Sequence, residues 1–261
     1  MVSIDLSGKI AVITGGGGVI PQGVAKCLGT AGAKIYLIDV KKESAKKAAD
    51  SLRESGIAAD YSIADITDSG RINTVFEEIH TKEGHIDLLV NCAGIMISKP
   101  YMELTDQDFN RQLSINLVGM DNCCRAALRY MKERRYGRIV NISSVAGRSG
   151  APTAVQYSAS KFGVIGLTQG IAAAVVKEGI TVNTICPGSV MSPLMQEVGA
   201  GYAKAFGISV EEGIKMHIAK SPTGQAQTPE DMGNAVLFFC SDLSPHITGC
   251  SLNVCGGKRM D

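Results

Sequence analysis

Tyr157 and Lys161 lie four residues apart, a spacing that puts one side chain above the other on a single helix face. A fixed cation beside a phenol favours the phenolate, which makes tyrosine a usable acid or base. Ser144 stands thirteen residues before Tyr157. It ends the apolar run Ile139-Val-Asn-Ile-Ser-Ser144, which reads as a buried strand, and its hydroxyl could hold a carbonyl or alcohol oxygen. The chemistry these three residues could do together is proton exchange on an oxygen held in place. Pro152 and Thr153 can open the helix, since proline suits the first helical position and threonine can cap. The helix is then expected to run to about Lys177. Tyrosine and lysine at this spacing also occur on many solvated helix faces, so the pair gains its meaning from Ser144 and from the elements that must position it.

The first of those elements is at the N-terminus. Lys9-Ile-Ala-Val-Ile13 reads as a strand, Thr14-Gly15-Gly16-Gly17-Gly18 follows at once, and Val24, Cys27 and Leu28 then recur at helical spacing. Strand, glycine turn and helix form the context of a phosphate-cradling loop, because the helix start offers unpaired N–H groups and a positive dipole end. Lys34-Ile-Tyr-Leu-Ile-Asp39 is a second buried strand ending in an acid, where a carboxylate can accept hydrogen bonds from adenosine ribose hydroxyls. Further strands are expected near Tyr61–Ile63, at Ile86–Val90, before Ser144, at Thr181–Cys186 and before Gly256-Gly257. Helices are expected over about 43–55, over 68–83 and from Thr228 to Cys240. Residues 104–134 read as a long helical region broken around Asn116–Gly119, where Asn116 could also be no more than a kink. Residues 193–221 look irregular, with glycines at 199, 201, 207 and 213, and suggest a mobile lid over 190–221 of a single domain spanning 1–261.

In combination, the glycine loop, Ser144 and Tyr157-x-x-x-Lys161 resemble the short-chain dehydrogenase/reductase family, from Gly8 to Gly257. The resemblance implies an α/β fold: one Rossmann-like, doubly wound domain with a seven-stranded parallel sheet and helices on both faces. It implies that Ser144, Tyr157, Lys161 and Asn116 are catalytic. Asn116 would complete a proton path to the lysine through water. Dinucleotide contacts would come from Gly15, Gly17, Gly18, Ile20, Asp39, Asp65, Ile66, Asn91, Ala93, Gly94, Tyr157, Lys161, Pro187, Gly188, Val190 and Ser192. The positive nicotinamide and Lys161 would share the roughly 4 kcal/mol needed to bring a tyrosine from about 10 to near 7. Five positions depart from the family pattern, one being Ser192, where the family's P-G-x-V-x-T has threonine. Val19 and Pro21 replace two loop glycines, Cys92 replaces the second Asn of N-N-A-G, and Cys255 replaces the Asp before the final glycine pair.

Asp39, with no Arg or Lys in the glycine loop, predicts NAD as the cofactor. The resemblance implies interconversion of a secondary alcohol (polyol, sugar or sugar acid, vicinal diol) with its ketone, the segment Ala146-Gly-Arg-Ser-Gly150 resembling polyol and sugar dehydrogenases of the family. The alternatives are a 3-oxoacyl-thioester reductase, a hydroxysteroid dehydrogenase or, from another class, a dinucleotide-sensing protein without turnover. Arg148 and Gln156 could reach the substrate; Arg148 could equally cap a turn or serve an oligomer contact. The small-residue run Gly163, Gly166, Gly170 and Ala172–Ala174 suggests close helix packing, and the resemblance implies a homotetramer.

Composition narrows the partners. With 26 Lys+Arg against 25 Asp+Glu in 261 residues, the net charge is +1, so nothing points to nucleic acid. Apolar runs fall short of a membrane span and the N-terminus lacks a signal-peptide pattern, which predicts a soluble cytoplasmic protein that does not engage membranes. Eight cysteines show no zinc spacing, so reduced thiols and no metal site are expected; Cys27, Cys92, Cys186 and Cys240 sit in apolar runs like small core residues.

Overall fold

The computed structural model describes residues 3–97, 99–151 and 154–260. Its seven strands are β1 (Ile10–Thr14), β2 (Lys34–Asp39), β3 (Ala59–Ile63), β4 (Leu88–Asn91), β5 (Gly137–Ile142), β6 (Ile180–Pro187) and β7 (Ser251–Val254). They form one sheet in the order β3-β2-β1-β4-β5-β6-β7, and every pairing is parallel. The order reverses between β1 and β4, which opens a crevice at the carboxyl ends of those strands.

Central parallel strands must be covered on both faces, and their alternating side chains show how. Ala11 and Ile13 of β1 enter one core with α1 (Val19–Thr30), α2 (Lys42–Glu54) and α9 (Pro229–Cys240). Ile10 and Val12 enter the other, with α3 (Ser69–Glu83), α5 (Met120–Arg134) and α6 (Val155–Val175). Each fully buried Leu, Ile or Phe contributes about 1.5–3 kcal/mol. The α3 stripe Ile72, Val75, Phe76 and Ile79 is buried as its spacing predicts.

The break expected near Asn116 is a π-helical turn, Ser114–Gly119, between α4 (Asp106–Leu113) and α5. Such turns hold one extra residue per turn and re-aim side chains. Pro152 and Thr153, expected to open the catalytic helix, lie outside the described residues. In α6 itself, Gly163 packs on Leu117, whereas Gly166 and Gly170 have nothing within 4 Å and leave an open face. With its short extension to Glu178, α6 is long and apolar enough to cross a membrane. Here Gln156, Ser158, Ser160, Lys161, Val164, Thr168, Ala172 and Val175 are its buried residues.

The irregular reading of 193–221 is overturned. This stretch forms two helices, α7 (Pro193–Phe206) and α8 (Val210–Ile218). Its glycines serve packing more than looping: a Cβ on Gly213 would come 2.5 Å from the Gly199 carbonyl oxygen, so the two backbones touch. Ser209 and Glu212 form a reciprocal capping box that starts α8.

All eight cysteines are free thiols; Cys186 and Cys240 are buried, while Cys27 and Cys92 are only partly so. Cys27 reaches across to Asn234 of α9 at 3.6 Å, a helix-to-helix contact that its apolar run did not suggest.

Candidate active site

β5 delivers Ser144 to the carboxyl edge of the sheet. Its hydroxyl accepts the Ala146 N–H at 3.1 Å, capping a 3-10 turn over Val145–Gly147, and it hydrogen-bonds the Tyr157 phenol. The Lys161 ammonium lies 5.6 Å from the Tyr157 ring centre and donates to the Ile142 carbonyl at 2.8 Å. The structure therefore brings the three residues together. Two neighbours that sequence reasoning missed hold them there. The Ser143 hydroxyl donates to the Lys161 carbonyl at 2.8 Å, and a Cβ on Gly147 would come 2.6 Å from that same oxygen. Their partner is a backbone group of a distant helix turn, which leaves no pattern in the sequence.

The electrostatics correct one expectation. Burial pushes the Tyr157 phenol up, and the Ser144 hydrogen bond only opposes this. Lys161 was expected to draw it down. Instead the lysine is itself lowered to about 8 by burial and spends its hydrogen bond on the Ile142 carbonyl. In this state Tyr157 is a neutral phenol, a proton donor.

Asn116 is fully buried, and the π turn aims it at the segment after β4. Its Oδ1 accepts the Ile95 N–H at 2.8 Å, and its Nδ2 donates to the Ile95 carbonyl at 2.9 Å and to Ser160 Oγ at 3.1 Å. Ser160 in turn donates to the Tyr157 carbonyl at 2.7 Å. Two further residues join this clamp: Gln112 accepts from the Ile97 N–H at 2.9 Å and donates to the Ile95 carbonyl, and Gln156 donates to the Ile97 carbonyl. Gln156 thus grips the 95–97 segment. Arg148 turns away to β7, donating to the Ser251 carbonyl at 2.6 Å and to Asn253 at 3.3 Å, which makes it a tie between the Ser144 loop and the sheet edge.

On the other side of the crevice, Gly15 takes φ +69°, and a Cβ there would lie 2.9 Å from the Ala93 Cα, so only glycine fits. Thr14 Oγ1 accepts the N–H groups of Cys92 and Ala93, both at 3.2 Å, tying β1 to β4. Gly18 heads α1 with no side-chain cap, and Pro21 is its third residue, where the missing N–H would have had no intrahelical partner. Val19 and Ile20 are part-exposed at this helix start. Asp39 Oδ2 accepts the Gly17 N–H and Oδ1 the Lys41 N–H, each at 2.9 Å. A tight glycine cradle, an uncapped helix start and a carboxylate at the β2 end together fit a dinucleotide.

The remaining predicted contacts are placed unevenly. Asp65 is exposed beyond β3 and holds Thr67, whereas Ile66 is buried. Gly94 opens to the crevice, where an added Cβ would stand 3.6 Å from Lys161 Nζ. The Asn91 side chain is given to Asn141 at 2.9 Å, and Asn141 continues to Thr168 at 2.9 Å, a buried polar ladder beneath the site. What Asn91 can offer a ligand is its backbone. Pro187 and Val190 are buried, Gly188 N–H bonds the Val254 carbonyl at 3.0 Å, and Ser192 heads α7 half-exposed.

This geometry has close counterparts. The chain is 33% identical over 257 residues to the 3-oxoacyl-acyl-carrier-protein reductase FabG of Aquifex aeolicus, covering 98% of this chain and 99% of the relative. The Escherichia coli reductase of the same name is 32% identical over 98% of this chain and all of its own. Among solved structures, an actinorhodin polyketide ketoreductase with NADPH superposes with a TM-score of 0.93 at 31% identity, covering 98% of this chain and 99% of the other. An NAD+-bound xylitol dehydrogenase does so with 0.91 at 30% identity, covering 96% and 99%. The family model for short chain dehydrogenases matches residues 9–203, from the first strand into α7. The chain is a member of the short-chain dehydrogenase/reductase family, an oxidoreductase acting between alcohol and ketone groups.

Proposed function

We propose that the protein is an NAD-dependent dehydrogenase interconverting a secondary alcohol of a polyol, sugar, sugar acid or vicinal diol with its ketone. The observation that carries the cofactor assignment is Asp39, whose carboxylate closes the end of β2 beside Gly17. Accepting from ribose hydroxyls is chemistry that a carboxylate supplies well. A 2′-phosphate would bring a second negative charge against it, a repulsion of up to about 4 kcal/mol at 4 Å and an effective dielectric of 20. Gly15, Gly17, Gly18 and Ile20 would cradle the phosphates, Asp65 and Ile66 the adenine end, and Ala93, Gly94, Asn91, Pro187, Gly188, Val190 and Ser192 the nicotinamide half.

The dinucleotide supplies the two-electron acceptor or donor. Ser144 orients the substrate oxygen by hydrogen bonding, and Tyr157 exchanges the proton with it. Lys161 holds positive charge beside the phenol and is well placed for the nicotinamide ribose, while Asn116 and Ser160 fix the helix turn from which both work.

A second reading, reduction of a 3-oxoacyl thioester, is favoured by the FabG relatives. Asp39 argues against its usual NADPH. A panel of polyols, sugar acids, vicinal diols, hydroxysteroids and a 3-oxoacyl thioester, run with NAD(H) and with NADP(H) and followed by the reduced cofactor's absorbance, separates the two. Preference for NADP(H) with the thioester would replace the first reading by the second. We also propose a homotetramer, built on the open Gly166/Gly170 face of α6, and a cytoplasmic site of action, on the eight free thiols. A light-scattering mass of one 27.4 kDa chain at micromolar concentration would overturn the assembly.

A further inference from the structure

The carboxyl end of the sheet carries a second concentration of unusual side chains, away from Tyr157. Lys258, just past β7, is half-buried, and its ammonium donates to His217 Nε2 of α8 at 2.8 Å and reaches Ser189 Oγ at 3.4 Å. Ser189 is fully buried between Gly188 and Val190, on the loop leaving β6. Lys220, at the end of α8, lies 5.0 Å over the Tyr202 ring of α7, and the same ring meets His217 edge-on at 5.7 Å. Three bases from two elements thus crowd one corner.

Among the described residues, what the corner lacks is an acid. The α8 carboxylates are committed elsewhere: Glu211 pairs with Lys215 at 3.0 Å, and Glu212 caps Ser209. Burial and the two lysines lower His217 to about 4, and burial and Lys220 lower Lys258. His217 is therefore neutral, and with Nε2 accepting from Lys258 its Nδ1 carries the proton. That buried N–H meets no acceptor in the described residues. A half-buried ammonium beside a neutral ring and a second cation is costly unless an opposite charge joins it.

We propose that Lys258, Lys220, His217 and Ser189 form an oxyanion site that binds a carboxylate or phosphate carried by the substrate, at the end remote from its reacting carbon. The position suits this. β7 lies two strands from β5, whose end carries Ser144, and two strand spacings are about 10 Å. That is within the span of a sugar acid or sugar phosphate. The proposal rests on the alcohol–ketone reading and narrows its substrate to an anion.

Two measurements test it, and only one needs turnover. The protein has four histidines, so the His217 imidazole can be followed by NMR while inorganic phosphate is added to the full-length protein without cofactor. Phosphate should shift His217 saturably and raise its pKa, and Lys258→Met should weaken binding about tenfold or more, as loss of one charge-assisted bond implies. No shift, or an equal shift in Lys258→Met, overturns the site. In turnover, aldonates and sugar phosphates are compared with neutral polyols. Lys258→Met should lower the kcat/KM ratio of anionic to neutral substrates about tenfold, through KM, and the better anionic arm names carboxylate or phosphate. Phosphate binding with no change in that ratio would mean an adventitious ion only and would also overturn the proposal. Should no alcohol turn over in any arm, the alcohol–ketone reading fails by itself, and the phosphate titration still decides whether this corner binds an oxyanion.

Discussion

Lys161 and Lys258 are both lysines drawn out of water at the same end of one sheet, and both are lowered by burial. Their surroundings differ. Lys161 donates a hydrogen bond to the Ile142 carbonyl, while its own helix turn is pinned by Ser143, Gly147 and, through Ser160, Asn116. Lys258 leans on a neutral imidazole and faces a second lysine. A cation anchored to backbone dipoles has its geometry fixed before any ligand arrives, as proton transfer requires. A cation held by a neutral base and a hydroxyl keeps unspent attraction for an anion. The contrast separates a corner built to do chemistry from one built to bind.

The sharpest way to break this contrast is Tyr157→Phe. We expect kcat to fall about 10²–10⁴-fold, with the circular dichroism spectrum and phosphate binding at Lys258 retained. Turnover within a factor of two of the parent would remove Tyr157 from the mechanism. The next effect is thermodynamic. Lys161 binds its proton more weakly folded, at about 8, than unfolded, near 10.5. Between those values Lys161 holds its proton more in the unfolded chain, so its own contribution to stability should rise with pH across that window, by about 3 kcal/mol in all, against a fall above pH 9 from the buried thiols Cys92, Cys124 and Cys240, pushed up to about 12. Urea titrations from pH 8 to 10.5 should show the parent gaining stability relative to Lys161→Met as pH rises, since the thiol contribution is common to both; a constant difference would remove Lys161 from the linkage.

Asp39→Ala comes third. It should shift the kcat/KM ratio of NAD to NADP by about ten- to thirtyfold towards NADP, the screened remainder of the charge repulsion, with Lys41 and Lys42 nearby to favour a phosphate. An unchanged ratio would show that Asp39 does not select the cofactor. The smallest effect belongs to the binding corner. His217 sits at about 4 folded against 6.5 unfolded, so stability should decline as pH falls from 6.5 through 4, where the unfolded chain takes up its proton first. His217→Gln should shallow that acid limb, and phosphate should do the same by favouring the protonated ring. Identical limbs in parent and variant would place the acid sensitivity elsewhere.

Much of this was legible in the residues. Runs such as Lys34–Asp39 and Ile139–Ile142 are buried strands because β-branched and apolar side chains fill both faces of a parallel sheet. The spacing of Ser144, Tyr157 and Lys161 survives because one strand end and one helix turn suffice to bring them together. The supporting clamp was not legible: Gln112, Gln156 and Ser143 hydrogen-bond backbone atoms far along the chain, and a backbone partner leaves no residue type to notice. The two helices of 193–221 were misjudged because their glycines look like loop residues. Ser209-Val-Glu-Glu212 carried a capping signal that could have found α8. The basic corner escaped because His217 and Lys258 are 41 positions apart and meet only through the sheet edge.

The contact between Gly199 and Gly213 has a mechanical consequence. With no side chain between them, the backbones of α7 and α8 bear directly on each other, and sliding one along the other would drive carbonyl against carbon. The pair therefore behaves as a stiff plate, and its compliance is confined to its two attachments, Ser192-Pro193 and Ser221-Pro222. A proline at each seam narrows the torsions available there. Altering Pro193 or Pro222 should therefore change how the pair is seated more than any substitution on its face.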